Sequence, residues 1–342
     1  MIIIMKRGAA DSEIQSVSDR VEKLGYASHV IRGVENVVIG AVGDKDKEPL
    51  KGLIVMAGVE DIVAVRAPYK LASRNVKPSD TVIEFKNGVK VGGGHFALMA
   101  GPCSVETPEQ MHLAAVAAKA GGAQFLRGGA YKPRTSPYSF QGLEEEGLKI
   151  LKNEHDKTGL LTVTELISAD SAQLVASYCD VIQIGARNMQ NFALLKEIGK
   201  LKTPILLKRG LSATLEELLM SAEYIMSQGN YNVMLCERGI RTYEKAYRNT
   251  LDLNAVPALQ KMTHLPIIAD PSHGTGRRDM IIPMSKAAIA AGADGIIVEI
   301  HPKPEEAWSD GPQSLTLEEF ETLAREIKPF VELMGKKFTV AK

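Results

Sequence analysis

The sequence is short of cysteine, of aromatic residues and of net charge. Cys103, Cys179 and Cys236 are the only three cysteines in 342 residues, with no close pair and no C-x-x-C spacing. A sparse, odd count excludes a disulfide scaffold and points to a reducing compartment. Lys plus Arg and Asp plus Glu both number 41, so the formal net charge is zero. That balance argues against nucleic acid or an anionic membrane as partner, since both need a net basic surface. No apolar run approaches the roughly 18 residues of a membrane span. Met1-Ile-Ile-Ile-Met5 precedes Lys6 and Arg7, the reverse of the order in a secretory signal. The chain therefore reads as cytoplasmic. What is present is ordinary for a globular protein: 45% hydrophobic and 24% charged residues.

Residues 1–66 read as a βαββαβ unit, the ferredoxin-like pattern. Ile2–Lys6 is a short strand. Asp11–Leu24 carries Ile14, Val17, Val21 and Leu24 at helical spacing, with Gly25 as its stop. Ser28–Ile31 and Asn36–Val42 are strands, Leu50–Ala57 a helix and Asp61–Arg66 a last strand. Residues 67–95 form a linker, in which Val82–Val91 with Asn87-Gly88 predicts a type I′ hairpin. From 96 to 342 strand and helix alternate. Strands are expected at Phe96–Ala100, Gln124–Arg127, Leu161–Glu165, Val181–Ile184, Ile205–Lys208, Val233–Cys236, Ile267–Asp270 and Gly295–Glu299. Capping boxes starting at Thr107, Thr214 and Thr316 open helices, and Gly121, Gly159 and Gly292 end them. Eight near-continuous apolar strands in such a rhythm predict an α/β protein with a (β/α)8 TIM barrel behind a small ferredoxin-like domain. A doubly wound open sheet is the alternative, weakened by the lack of a G-x-G-x-x-G after the first strand.

Every predicted barrel strand ends in polar residues, and a barrel brings those ends to one mouth. Arg127, Lys132, Arg134, Arg187, Lys208 and Arg238 would gather there, with Glu165 among them. Converging cations repel unless an anion neutralises them, so two or more phosphate or carboxylate groups are implied. Lys208 and Arg209 are strand neighbours, so only one faces inward. Leu206 shares parity with Lys208, and pattern alone leaves the choice open. A second set, Cys103, His273, Glu299 and Asp310, lies on loops after strands seven, eight and one, which touch in a closed barrel. A thiolate, an imidazole and two carboxylates suit Mn²⁺, Fe²⁺, Zn²⁺ or Co²⁺. Cys179 and Cys236 read as small buried hydrophobes.

Six ordered strings carry a resemblance: Gly101-Pro-Cys-Ser-Val-Glu106, Arg127-Gly-Gly-Ala-Tyr-Lys-Pro-Arg-Thr135, Gln183-Ile-Gly-Ala-Arg187, Leu207-Lys-Arg-Gly210, Cys236-Glu-Arg-Gly239 and Asp270-Pro-Ser-His273. From about Phe96 to the C-terminus the chain resembles 3-deoxy-D-arabino-heptulosonate-7-phosphate (DAHP) synthases, of the type related to 3-deoxy-D-manno-octulosonate-8-phosphate synthases. Lys132-Pro-Arg-Thr135 resembles the heptulosonate branch. The first 66 residues resemble the ferredoxin-like regulatory domain of some members. The resemblance implies a transferase at the first step of the shikimate pathway, toward chorismate and the aromatic amino acids. Phosphoenolpyruvate, D-erythrose 4-phosphate and water would give the seven-carbon keto acid phosphate and inorganic phosphate.

Carried over residue by residue, Cys103, His273, Glu299 and Asp310 match the family's metal ligands. Arg127, Lys132, Arg187, Lys208 and Arg238 match the phosphoenolpyruvate site, which selects Lys208 over Arg209. Arg134 and Thr135 match the aldose phosphate motif. Lys132 is the first candidate for the acid that protonates the aldehyde oxygen, metal-bound water the second and His301 the third. A homotetramer fits the resemblance. For the N-terminal unit we expect feedback control by tyrosine or phenylalanine, with a purely structural or oligomer-forming appendage as the alternative. An octulosonate synthase using a five-carbon aldose phosphate, and a small-molecule sensor built on a retained barrel, are the competing functions.

Overall fold

The computed structural model describes residues 1–33, 37–43, 47–63, 68–133, 136 and 138–339. The chain begins with β1 (Ile2–Met5), α1 (Asp11–Lys23), β2 (Ala27–Arg32), β3 (Val37–Val42), α2 (Glu48–Lys51) and β4 (Val59–Val63). These four strands form an antiparallel sheet in the order β2-β3-β1-β4. Ile14, Val17 and Val21 of α1 pack on Ile3, Met5, Ile39 and Val59 of the sheet. The helix expected at Leu50–Ala57 is not formed as such: α2 is one turn long and passes into a 3-10 turn over Gly52–Val55. Gly52 and the β-branched pair Ile54-Val55 weaken a helix there, and Val55 is exposed. Residues 64–66 of the last expected strand lie outside the described residues.

The hairpin of β5 (Ile83–Glu84) and β6 (Lys90–Val91) is present, but its turn is not type I′. Only Gly88 takes a positive φ, 85°. The Gly88 N–H donates to Phe85 O at 2.8 Å, and the Asn87 side chain accepts from the Val89 N–H at 3.2 Å. A three-residue loop with one left-handed glycine results.

The barrel strands are β7 (His95–Gly101), β8 (Phe125–Arg127), β9 (Leu161–Leu166), β10 (Val181–Ile184), β11 (Ile205–Lys208), β12 (Val233–Glu237), β13 (Ile267–Ala269) and β14 (Gly295–Glu299). All neighbours are parallel, and β14 pairs with β7 to close the ring. Helices α3 (Pro108–Ala120), α4 (Glu144–Thr158), α5 (Ala172–Tyr178), α6 (Phe192–Gly199), α7 (Leu215–Met226) and α8 (Ala255–Met262) follow the first six strands. The short α9 (Pro271–Thr275) and then α10 (Arg278–Ala290) follow β13, and α11 (Leu317–Leu333) follows β14. Full capping boxes form at Thr214–Glu217 and Thr316–Glu319. At Thr107 only half a box forms, because the Gln110 amide donates to Ser104 O. Among the described residues no helix is long and apolar enough to cross a membrane.

Two-residue periodicity places the site. Ala97, Met99, Phe125, Leu161, Val163, Val181, Leu206, Met234, Cys236, Ile268 and Ile297 form one apolar cluster inside the ring. Ile83, Phe85, Val89 and Val91 of the hairpin join it, closing the end where the strands begin. Phe85 meets Phe125 edge-to-face at 5.1 Å. One step of two beyond these inward residues stand Arg127, Glu165, Gln183, Lys208, Arg238, Asp270 and Glu299. Side chains two apart on a strand share a face, so an apolar lumen becomes a polar mouth.

Candidate active site at the strand ends

Three donors at the mouth converge. One ligand atom each from Cys103, Glu299 and Asp310 lies within 4.8 Å of the others. Ligands across a single ion are separated by up to about twice a bond of roughly 2.0–2.3 Å, so the spacing fits one cation. His273 stands beside them, its Nε2 3.5 Å from Glu299 Oε1. Its Nδ1 lies 2.8 Å from Asp270 Oδ2, a close contact at a poor hydrogen-bond angle that leaves this buried nitrogen without a proper partner. Soft sulfur with carboxylates and a neighbouring imidazole is a donor set for a first-row divalent metal.

The charges around this cluster are matched. Arg127 donates to Glu299 Oε1 at 2.7 Å and to Pro102 O at 3.0 Å. Lys132 Nζ donates to Cys103 Sγ at 2.9 Å and to Cys103 O at 3.0 Å. Burial and the charge of Glu299 push the Cys103 thiol up to about 11, against the pull of Lys132. It therefore holds its proton, which it shares with Asp310 Oδ2 at 3.3 Å, until a cation displaces it. Burial disfavours the Glu299 charge, yet His273 and Arg127 keep this carboxyl below its ordinary range. Asp270 is likewise held well below, burial being outweighed by His273 and Lys208. Lys208 Nζ contacts Asp270 Oδ2 at 2.5 Å.

Beside the cluster opens a cavity of about 480 Å³ lined by Lys132, Glu165, Gln183, Arg187, Lys208, Arg238, Arg241, Arg248, Asn249, His273 and Asp310, among others. Among the described residues, six cations there face two carboxylates. Buried Arg238 has one guanidinium nitrogen, Nη1, without a hydrogen-bond partner among the described residues. Burial lowers its pKa below the usual guanidinium range; Asp270 opposes this and Arg248 adds to it. A desolvated guanidinium with one unpartnered nitrogen among like charges is poised for an anion.

Lys208, Arg187, Arg238, Glu165, Lys132, His273 and Asp310 thus share one cavity. Arg127 stands behind it, bound to Glu299. Arg209 has the opposite parity and leaves the lumen for Glu237 and Asp252, both at 2.8 Å. Glu237 therefore forms its ion pair with Arg209, outside the lumen. Cys236 packs in the barrel lumen and Cys179 in the layer outside it. His301 does not line the cavity: its Nδ1 accepts from the Lys303 N–H at 3.1 Å, which leaves Nε2 to donate to Glu106 at 3.2 Å. Arg134 and Thr135 lie outside the described residues. Arg241, Arg248 and Asn249, which no strand-end pattern marks, also line the cavity. Their signal is the density of basic residues between β12 and α8, where no helical period exists.

Residues 80–334 match the model of the DAHP synthetase I family, and residues 1–67 match that of the DAHP synthase ferredoxin-like domain. A phospho-2-dehydro-3-deoxyheptonate aldolase from Thermotoga maritima is 51% identical over 337 residues, covering 98% of this chain and 99% of that protein. A crystal structure of the Thermotoga maritima aldolase covers 99% of both chains with a TM-score of 0.79. A truncated form of 3-deoxy-D-arabino-heptulosonate 7-phosphate synthase from Thermotoga maritima is 53% identical, covers 79% of this chain and 99% of its own, and has a TM-score of 0.75. A 2-dehydro-3-deoxyphosphooctonate aldolase from Geobacter sp. is 31% identical over 261 residues, 70% of this chain and 94% of that protein.

Proposed function

The chain belongs to the DAHP synthetase I family, and on that premise we propose that it condenses phosphoenolpyruvate with D-erythrose 4-phosphate and water to give DAHP and inorganic phosphate. The reaction opens the shikimate pathway, and the chain would act in the cytoplasm. The observation that carries this reading is the buried, unpartnered nitrogen of Arg238 in a six-cation cavity beside the Cys103–Glu299–Asp310 cluster. Two mutually repelling phosphorylated reactants need such a cavity.

Lys132, Arg187, Lys208 and Arg238 take the phosphate and carboxylate of phosphoenolpyruvate, with Arg127 behind them and Glu165 in the same cavity. Arg134 and Thr135 take the aldose phosphate. Cys103, His273, Glu299 and Asp310 would hold a divalent cation of the Mn²⁺, Fe²⁺, Zn²⁺ or Co²⁺ kind, whose contribution when bound is to polarise the aldehyde carbonyl. The cation ring offsets substrate repulsion and sets the enol carbon against the aldehyde carbon, which removes several kcal/mol of barrier. Carbon joins carbon, water adds at the neighbouring carbon and phosphate leaves from it. Lys132 Nζ is the proton donor to the aldehyde oxygen. It lies 2.9 Å from Cys103 Sγ, whereas both nitrogens of His301 are engaged elsewhere.

The test follows phosphate release from the two substrates. Chelation should abolish it and Mn²⁺ restore it; Cys103→Ala should lose metal and at least 10³-fold of turnover while folding normally. Full turnover in metal-free protein would remove the metal from the mechanism. Relatives named for octulosonate chemistry make arabinose 5-phosphate the control substrate, and preference for it over erythrose 4-phosphate would reassign the chain.

We assign the segment 1–66 to feedback inhibition by tyrosine or phenylalanine in a homotetramer, with 67–95 as linker and 96–342 as the catalytic barrel. Removing 1–66 should leave catalysis and abolish inhibition. Inhibition that survives the truncation would assign the segment to structure alone.

A further inference from the structure

The cavity and the donor cluster are joined by one side-chain amide. Gln313 is buried in the turn that follows Asp310. Its Nε2 donates to Glu299 Oε2 at 2.5 Å, and its Oε1 accepts from Arg248 Nη1 at 2.6 Å. The partners settle which way the amide points, because a guanidinium has only donors and an ionised carboxylate only acceptors. Arg248 also lies 3.6 Å from Asp310 Oδ1 and lines the cavity.

The turn is rigid. Asp310 takes a left-handed φ of 54°, and the Gln313 N–H donates back to Asp310 O at 3.1 Å. A side chain at Gly311 would run into Pro304 O. Asp310 and Gln313 are therefore delivered as one unit, one to the donor cluster and the other to its neighbour Glu299.

We propose that Gln313 is a positioning residue that orients the Glu299 carboxylate in the metal site and couples that site to the anion-binding cavity through Arg248. The inference rests on the reading of Cys103, His273, Glu299 and Asp310 as metal ligands. A side-chain amide meets a cation with its oxygen and an anion with its nitrogen. Glutamate would set a second carboxylate against Glu299. Methionine fills the space and satisfies neither partner. An anion that draws Arg248 toward itself alters the support of Glu299, so cation and anion affinities are linked in both directions.

The experiment titrates Mn²⁺ into the full-length chain, following free Mn²⁺ by its spin resonance signal, with and without inorganic phosphate. Cys103→Ala should lose binding. Gln313→Met and Gln313→Glu should weaken it by about 10- to 100-fold, the usual effect of losing a partner that orients a ligand. Phosphate should shift Mn²⁺ affinity in the wild type and not in Gln313→Met. Arg248→Met, a half-exposed position that is safe for folding, should keep Mn²⁺ affinity within a few-fold and lose the phosphate effect. If Cys103→Ala loses Mn²⁺ while Gln313→Met binds it normally, the role of Gln313 is wrong and the metal site stands. If Cys103→Ala binds like the wild type, the site reading itself fails. A phosphate effect that is missing from the wild type, or intact in Arg248→Met, would overturn the coupling.

Discussion

The two ends of the barrel are made from the same strands and behave as opposites. Where the strands begin, the inward positions are Ala97, Phe125, Leu161 and Val181, sealed by Phe85 and its hairpin neighbours. Where they end, the same faces carry Arg127, Glu165, Gln183, Lys208 and Glu299. The closed end is apolar and packed, as a core must be. Among the described residues, the open end holds a guanidinium nitrogen with no partner and six cations around one cavity. Packing and chemistry are thus separated along a single lumen, and the polar site is carried by the apolar packing beneath it.

Changes at the two ends should have separable effects. The largest on folding is expected at the closed end. Phe85→Ala removes a buried ring packed edge-to-face on Phe125 and should lower the unfolding free energy by about 3–5 kcal/mol, with kcat/KM held within two-fold. Denaturant unfolding beside steady-state kinetics checks this; a folded variant that no longer binds Mn²⁺ would erase the distinction between the ends.

Next is a pH effect, also at the closed end. His264 is pushed down to about 4, chiefly by burial, and the Leu71 carbonyl opposes this through its hydrogen bond. The Leu71 carbonyl can only accept, at 2.8 Å from Nε2, so Nδ1 is the acceptor facing Thr81 at 2.7 Å. The unfolded chain takes up this proton near pH 6.5 and the folded one only near 4. Stability is therefore complete above about 6.5 and falls as the pH drops toward 4, by up to about 3 kcal/mol. His264→Gln should remove that component of the difference between pH 7.5 and pH 5. An unchanged slope would sink the assignment.

The smallest change in free energy belongs to the open end. Arg238→Met removes one charge-assisted contact to the substrate, worth about 1.5–3 kcal/mol, so kcat/KM for phosphoenolpyruvate should fall by about 10- to 100-fold. The unliganded protein should be no less stable, since Nη1 of Arg238 lacks a partner there. A marked loss of stability would mean that Arg238 is structural.

Much of this organisation is legible in local patterns. Val181–Ile184, Ile205–Lys208 and Gly295–Glu299 are strands with the bounds expected from their apolar runs. The boxes at Thr214 and Thr316 are satisfied within four residues, so no distant partner could change them. Where the outcome depends on several weak preferences, local reading fails. The 50–57 segment has an apolar face but also Gly52 and two β-branched residues, and it yields a fragment of helix. Asn87-Gly88 suits a two-residue turn, yet the Asn87 side chain captures the Val89 N–H and a longer loop wins. His301 ends a strand like the other site residues, but Glu106, far away in sequence, turns its ring aside.

By itself the sequence determined the alternation of strand and helix, the charge balance and the set of polar residues that must follow each strand, because these depend on neighbours within a turn or a two-residue step. Only the tertiary structure decided which of those residues work together. Lys208 rather than Arg209 enters the lumen because the ring assigns one face of β11 to the inside. Glu299 meets Arg127 because closure sets the last strand, β14, against β7, which is itself paired with β8. Such meetings depend on how the ring shuts, and no local rule encodes that.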